Sequence, residues 1–131
     1  MRELQVDFVE MDDGVAIAKV EYRDVLVGDP GTGVLHGGVV TTLLDIAAGM
    51  SVISKLGKPT AVVTLDLRID YLRPSTVGQP LFARVECYKL TRQVAFVRGV
   101  TYNLRLDDPV ASMAGTFMLD AGAVIHPRAR E

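Results

Sequence analysis

Between Val34 and Ser54 the chain carries a single formal charge, Asp45, in an otherwise uncharged and mostly apolar run. No proline interrupts Gly38 to Lys55. Val39, Val40, Leu43, Leu44, Ile46, Ala47, Met50 and Ile53 fall around nearly the whole circumference of the helix this predicts. Such a helix must be covered on most sides, so the rest of the fold has to be built around it. Gly57 and Pro59 end it, glycine just past the last turn and proline beyond. A membrane span is the competing reading of this run. Three glycines, several Thr and Ser residues and a carboxylate near the middle argue against it, the carboxylate alone costing roughly 2.5–3.5 kcal/mol in lipid.

The flanking sequence supplies the cover. Leu4 to Glu10 and Val15 to Tyr22 alternate apolar and polar residues around the turn-like Met11-Asp12-Asp13-Gly14, which predicts a β-hairpin. Gly28 to Gly33 packs three glycines and a proline into six residues, a loop composition. After Pro59 the period changes to two: Val63, Leu65, Leu67, Ile69 and Tyr71 form one row, and Thr64, Asp66, Arg68 and Asp70 the other. Three further strands are predicted at Leu81 to Leu90, Val94 to Arg105 and Val110 to Leu119, joined by short turns that make them antiparallel. Pro74 to Pro80 is long enough for a crossover. The order is β-β-α-β-β-β-β, an α+β fold with an antiparallel sheet curled around a central helix. One domain, residues 1–120, and a C-terminal tail, residues 121–131, account for the chain.

Net charge is only −2, which gives no electrostatic footprint for a nucleic-acid partner. Cys87 is the only cysteine, so no internal disulfide or cysteine-rich metal site can form, and a reducing compartment is expected. The N-terminus lacks the apolar block of a secretory signal, which makes a cytoplasmic location the expectation.

Asp45 is the first candidate for chemistry, because an isolated carboxylate in an apolar helix must be paired, reached by solvent or working. His36-Gly37-Gly38 is the second: at a helix start, free backbone N–H groups favour developing negative charge, and glycine lets a carbonyl approach. The same tripeptide also serves as a plain strand-to-helix turn. Gly37 and Asp45 are eight residues apart, about 12 Å along a helix, so one carbonyl cannot touch both. If both act on one substrate, they come from different subunits. Thr64 sits in the polar row of the clearest strand, with Asp66, Arg68 and Asp70 as its same-face neighbours, and strand-filling is its bland alternative. Cys87, mid-strand in an apolar row, reads as a small buried residue. With His126 in the tail, neither a metal cluster nor a Ser-His-Asp arrangement is expected.

The ordered set Leu35-His36-Gly37-Gly38, Leu43-Leu44-Asp45, Thr64-Leu65-Asp66-Leu67, Tyr71-Leu72-Arg73-Pro74 and Ala114-Gly115-Thr116-Phe117 resembles the hotdog-fold thioesterases of the PaaI-like, 4-hydroxybenzoyl-CoA thioesterase superfamily. The resemblance implies hydrolysis of an acyl-CoA thioester to a carboxylic acid and free CoA, with CoA part of the substrate and no separate cofactor. It makes Asp45 the nucleophile or the general base for water. It gives carbonyl polarisation to the Gly37 N–H with help from Gly38, and orientation of water to Thr64. It also implies a homo-oligomer, a dimer or a dimer of dimers (homotetramer), with sites at subunit interfaces. Relatives often carry an Asn about six residues before the His; here the region reads Asp29-Pro30, which leaves polarisation to the backbone or to a group such as Thr32. Arg73, Arg92 and Arg98 are the basic residues available for the CoA phosphates. A non-catalytic acyl-CoA sensor or scaffold and a hotdog hydratase or dehydratase are the alternatives.

Overall fold

The computed structural model describes residues 4–119, so the expected tail and His126 lie outside the described residues. The chain opens with β1 (Asp7–Asp12) and β2 (Val15–Val20), joined by Asp13 at φ 46° and Gly14 at φ 89°. Positive φ at both central residues is the two-residue turn whose twist matches the strands, and Asp-Gly is a sequence that tolerates it. Because this turn is so tight, β1 runs to Asp12, two residues beyond the expected Glu10, and Leu4 and Val6 pack against the core ahead of the strand.

A 3-10 turn at Asp24–Leu26 and two short paired strands, β3 (Val27–Asp29) and β4 (Val34–Leu35), occupy the glycine-rich region expected to be loop. The helix α1 (Gly37–Leu56) follows, then β5 (Val63–Tyr71), β6 (Leu81–Leu90), β7 (Val94–Tyr102) and β8 (Ala111–Met118). The long strands form one six-stranded antiparallel sheet in the order β1-β2-β6-β7-β8-β5. Apart from the small β3–β4 pair, the element order is the expected one.

Gly57 at φ 79° closes α1 by donating its N–H to the Ile53 carbonyl, the left-handed cap that glycine adopts without strain. Val39, Val40, Leu43, Leu44, Ala47, Ala48, Ser51 and Val52 are the buried face of α1 and meet Ala18, Val20, Leu81, Ala83, Val85, Ala95 and Val97 from the sheet. Each fully buried Leu or Val contributes about 1.5–3 kcal/mol. The helix is long and apolar enough to cross a membrane, with mean hydropathy 1.5, yet it packs as the core helix of a sheet. The sheet covers one side only. Thr42, Asp45, Ile46, Gly49, Met50 and Ile53 remain half-exposed on the other.

The crossover from β5 to β6 is tied down by Asn103, only 2% exposed. Its Nδ2 donates to Ser75 Oγ and the Pro80 carbonyl, and its Oδ1 accepts from the Thr76 N–H at 2.8 Å and from Arg73. A buried amide with every group satisfied fixes the segment in one conformation.

Candidate active site

At the helix start, His36 is the N-cap, and its Nδ1 accepts from the Gly38 N–H at 2.9 Å. The expected help from Gly38 is therefore already spent inside the chain, which leaves the Gly37 N–H, at the first helical position, as the donor of this turn. The same contact gives His36 a capping role and withdraws Nδ1 from the acid-base role that a hydratase would need. Tyr71 secures the turn from β5: its hydroxyl lies 2.6 Å from Thr41 Oγ1 and donates to the Gly37 carbonyl at 3.3 Å.

Asp45 stands two turns further along, half-exposed on the open side of α1, where its Oδ1 accepts from Thr64 Oγ1 at 3.3 Å. Simple alternation had put Thr64 in the row of Asp66, Arg68 and Asp70. A β-bulge corrects this: Thr64 pairs with Phe117 and Asp66 with Thr116, so Leu65 is an extra residue and the side-chain phase reverses across it. Thr64 consequently shares the helix side of β5 with Leu67, Ile69 and Tyr71. Gly115 permits the bulge, because a Cβ there would lie 2.7 Å from the Asp66 carbonyl oxygen.

The remaining candidates separate. Arg73 is committed to the fold, bonding Asp108 at 3.1 Å, the Pro74 carbonyl, Thr76 and Asn103. Arg98 sits over the Tyr88 ring and pairs with Glu86. It lies on the sheet face opposite α1, since Ala95 and Val97 of β7 point into the core. Arg92 is exposed in the β6–β7 turn, at the sheet end where β5 begins. Asp29 Oδ1 accepts from the Gly31 N–H at 3.0 Å, and Thr32 Oγ1 bridges the Asp29 carbonyl and the Val34 N–H. Both residues are thus occupied in shaping the loop ahead of the helix start. Among the described residues no group of three His, Cys, Asp or Glu could hold a metal.

Cys87 is 2% exposed, and burial raises the pKa of its thiol above the ordinary value. It should stay unreactive toward Ellman's reagent at pH 8 in the folded protein and react fully in denaturant; rapid native-state labelling would contradict this burial.

The thioesterase superfamily's sequence profile matches residues 32–107, which span the helix start, Asp45 and Thr64. The chain belongs to the thioesterase superfamily. A putative esterase from Halobacterium salinarum is 41% identical over 55% of this chain, a match that spans 50% of that protein. The medium/long-chain acyl-CoA thioesterase YigI of Escherichia coli is 28% identical over 90% of this chain and 83% of its own length. Among solved structures, a Pseudomonas aeruginosa protein superposes with TM-score 0.82 at 34% identity, covering 89% of this chain and 87% of that one. A single-site mutant of the phenylacetic acid degradation protein PaaI from Thermus thermophilus superposes with TM-score 0.76 at 28% identity, covering 90% and 96%. The hotdog fold of this superfamily, one long helix packed against a large antiparallel sheet, is the fold described above. The superfamily, together with the likeness to a protein named as an acyl-CoA thioesterase, makes this chain a thioester hydrolase.

Proposed function

We propose that this protein hydrolyses an acyl-CoA thioester, with Asp45 as nucleophile or general base and Thr64 orienting the attacking water. The observation that carries the reading is the Asp45–Thr64 hydrogen bond on the open side of an otherwise apolar helix. A carboxylate positioned by a hydroxyl and reachable from solvent can take a proton from water, or attack a thioester carbonyl itself. Oxygen adds to the carbonyl carbon, negative charge builds on the carbonyl oxygen, and the CoA thiolate leaves. The Gly37 N–H, at the positive end of α1, is suited to that oxygen. CoA is part of the substrate and no other cofactor is required. Arg92 is the arginine left to meet its phosphates.

The two groups lie about 12 Å apart along one helix, so the reading calls for a dimer in which each site joins Asp45 of one subunit to the Gly37 of its partner. Two features of β5 support this. Its outer edge is unpaired among the described residues, and Val63 and Leu65 are 48% and 50% exposed beside it. Such an apolar edge invites another strand. Pairing there brings the partner's helix to the side where Thr64 and Tyr71 already stand. A dimer of dimers and a cytoplasmic location belong to the same proposal, the latter because the lone buried thiol suits a reducing compartment.

Thiol release from a panel of aromatic and aliphatic acyl-CoAs tests the reading. Tight binding without turnover across the panel would instead identify a non-catalytic acyl-CoA sensor. Replacing Thr64 by Val keeps the shape and removes the hydroxyl, and kcat should fall about 10- to 100-fold with KM little changed, since hydrogen bonds to charged groups are worth about 1.5–3 kcal/mol. An unaltered kcat would remove Thr64 from the mechanism.

A further inference from the structure

A cavity of about 880 Å³ opens at the far end of α1 from His36, between the β1–β2 turn, the last turns of the helix and the segment leading to β5. Met11, Met50, Ile53, Pro59 and Ala61 form its apolar walls. Its size falls within the range of about 300–1,000 Å³ usual for small-molecule sites. Between the cavity and Asp45 lies Gly49, one turn beyond the carboxylate on the same half-exposed side. Among the described residues a Cβ built at Gly49 meets nothing within 4 Å, so there is open space where a side chain would begin. Glycine is among the poorest residues for a helix interior, and among the described residues no close approach at Gly49 compensates for it. Open space over Gly49 continues the line from Asp45 to the cavity.

Resting on the thioesterase reading, we propose that the cavity receives the aliphatic tail of the acyl group, which crosses Gly49 as it leaves Asp45. The rim gives no reason to place the other end of the substrate here: Asp12 and Asp13 border the cavity, Asp13 lies 3.9 Å from Lys55, and Lys58 is the cation among the lining residues, so no net positive charge gathers for phosphates. Phosphates of CoA gain nothing from a balanced rim, whereas a hydrocarbon chain gains from the walls. Ile53 lies eight residues past Asp45, about 12 Å along the helix, which is the extended length of roughly ten carbons. Methionine at two wall positions lets the pocket adapt to chains somewhat shorter or longer. Beyond Ile53 the end of the helix and the turn after it line the cavity with Ser54, Gly57 and Lys58, so the apolar gain along the helix is largest for straight acyl chains of about eight to ten carbons.

Two ladders of ligands, acyl-CoA thioesters and non-hydrolysable alkyl-CoA thioethers, from four to sixteen carbons test this on the full chain. For the thioesters kcat/KM should climb to about ten carbons and then level or fall. For the thioethers each added pair of buried methylenes should tighten binding about tenfold over the same range. In Gly49→Leu the ten-carbon to four-carbon ratio should drop at least about thirtyfold in both ladders, and Gly49→Ala should fall between. A flat wild-type ladder, or an equal loss at every length in Gly49→Leu, overturns the proposal. An unchanged ratio with dissociation of the oligomer by light scattering would also overturn it, because a second copy would then occupy this face. If no thioester is hydrolysed, the thioesterase reading fails by itself and the thioether ladder still decides whether the cavity holds a tail.

Discussion

Replacing Asp45 by Asn should cut thiol release from a good acyl-CoA substrate by a factor of about 10²–10⁴ while leaving the fold intact. The substitution keeps the side-chain shape and leaves an amide oxygen able to accept from Thr64 Oγ1, so the local geometry survives. Asp45 is half-exposed and forms no ion pair among the described residues, so its loss leaves no buried charge unpaired there, and the change in stability should stay within about 0.5 kcal/mol. What disappears is the negative charge, and with it both the ability to accept a proton from water and the ability to attack a carbonyl. The effect therefore belongs in kcat, with KM nearly constant, because the group does its work in the transition state rather than in binding. Folded Asp45→Asn that turns over at the wild-type rate would end the role of Asp45 under either mechanism.

The residues that made this prediction available differ in how visible they were. An isolated charge in an apolar helix is legible because its cost is local, and the helix ends are legible because glycine at Gly57 and a cap at His36 satisfy backbone groups within a few residues. The period-two strands and their order could be read for the same reason. Thr64 could be nominated from the sequence but not oriented. Its direction depends on the bulge at Leu65, which depends in turn on the missing side chain of Gly115 across the sheet. Tyr71 was visible as the last member of an apolar row, yet its contact with the helix start requires knowing that β5 lies beside α1. Arg73 is the opposite case. It was one of three arginines available for ligand phosphates, while the distant Asn103 and Asp108 hold it at the crossover. Long-range partners of this kind leave no trace in spacing.

Gly37→Pro should fold normally and lose about 10²–10³ in kcat, the usual effect of removing one hydrogen-bond donor from an oxyanion site. Gly37 is the first residue of α1, the position where proline is favoured because its fixed φ suits the helix and its absent N–H is not needed by it. The residue before it is equally prepared: His36 has φ −61° and ψ 138°, the extended conformation that a following proline demands. The first atom that a Cβ at Gly37 would meet is the Tyr71 hydroxyl at 3.9 Å, ordinary contact. The substitution thus removes a single N–H with little else disturbed, and a fully active variant would show that this N–H does not polarise the substrate. The same variant also tests where the partners of each site come from. Gly37→Pro and Asp45→Asn are each expected to be nearly inactive as homodimers. When the two are unfolded together and refolded as a mixture, half of the dimers are mixed. In a mixed dimer one site combines both defects, and the other combines the intact Gly37 of one subunit with the intact Asp45 of its partner. One site in four therefore regains function, and the mixture should recover about a quarter of wild-type activity, far above either parent. A site contained within one subunit would give no recovery at all, because every Gly37–Asp45 pair in the mixture would still carry one defect.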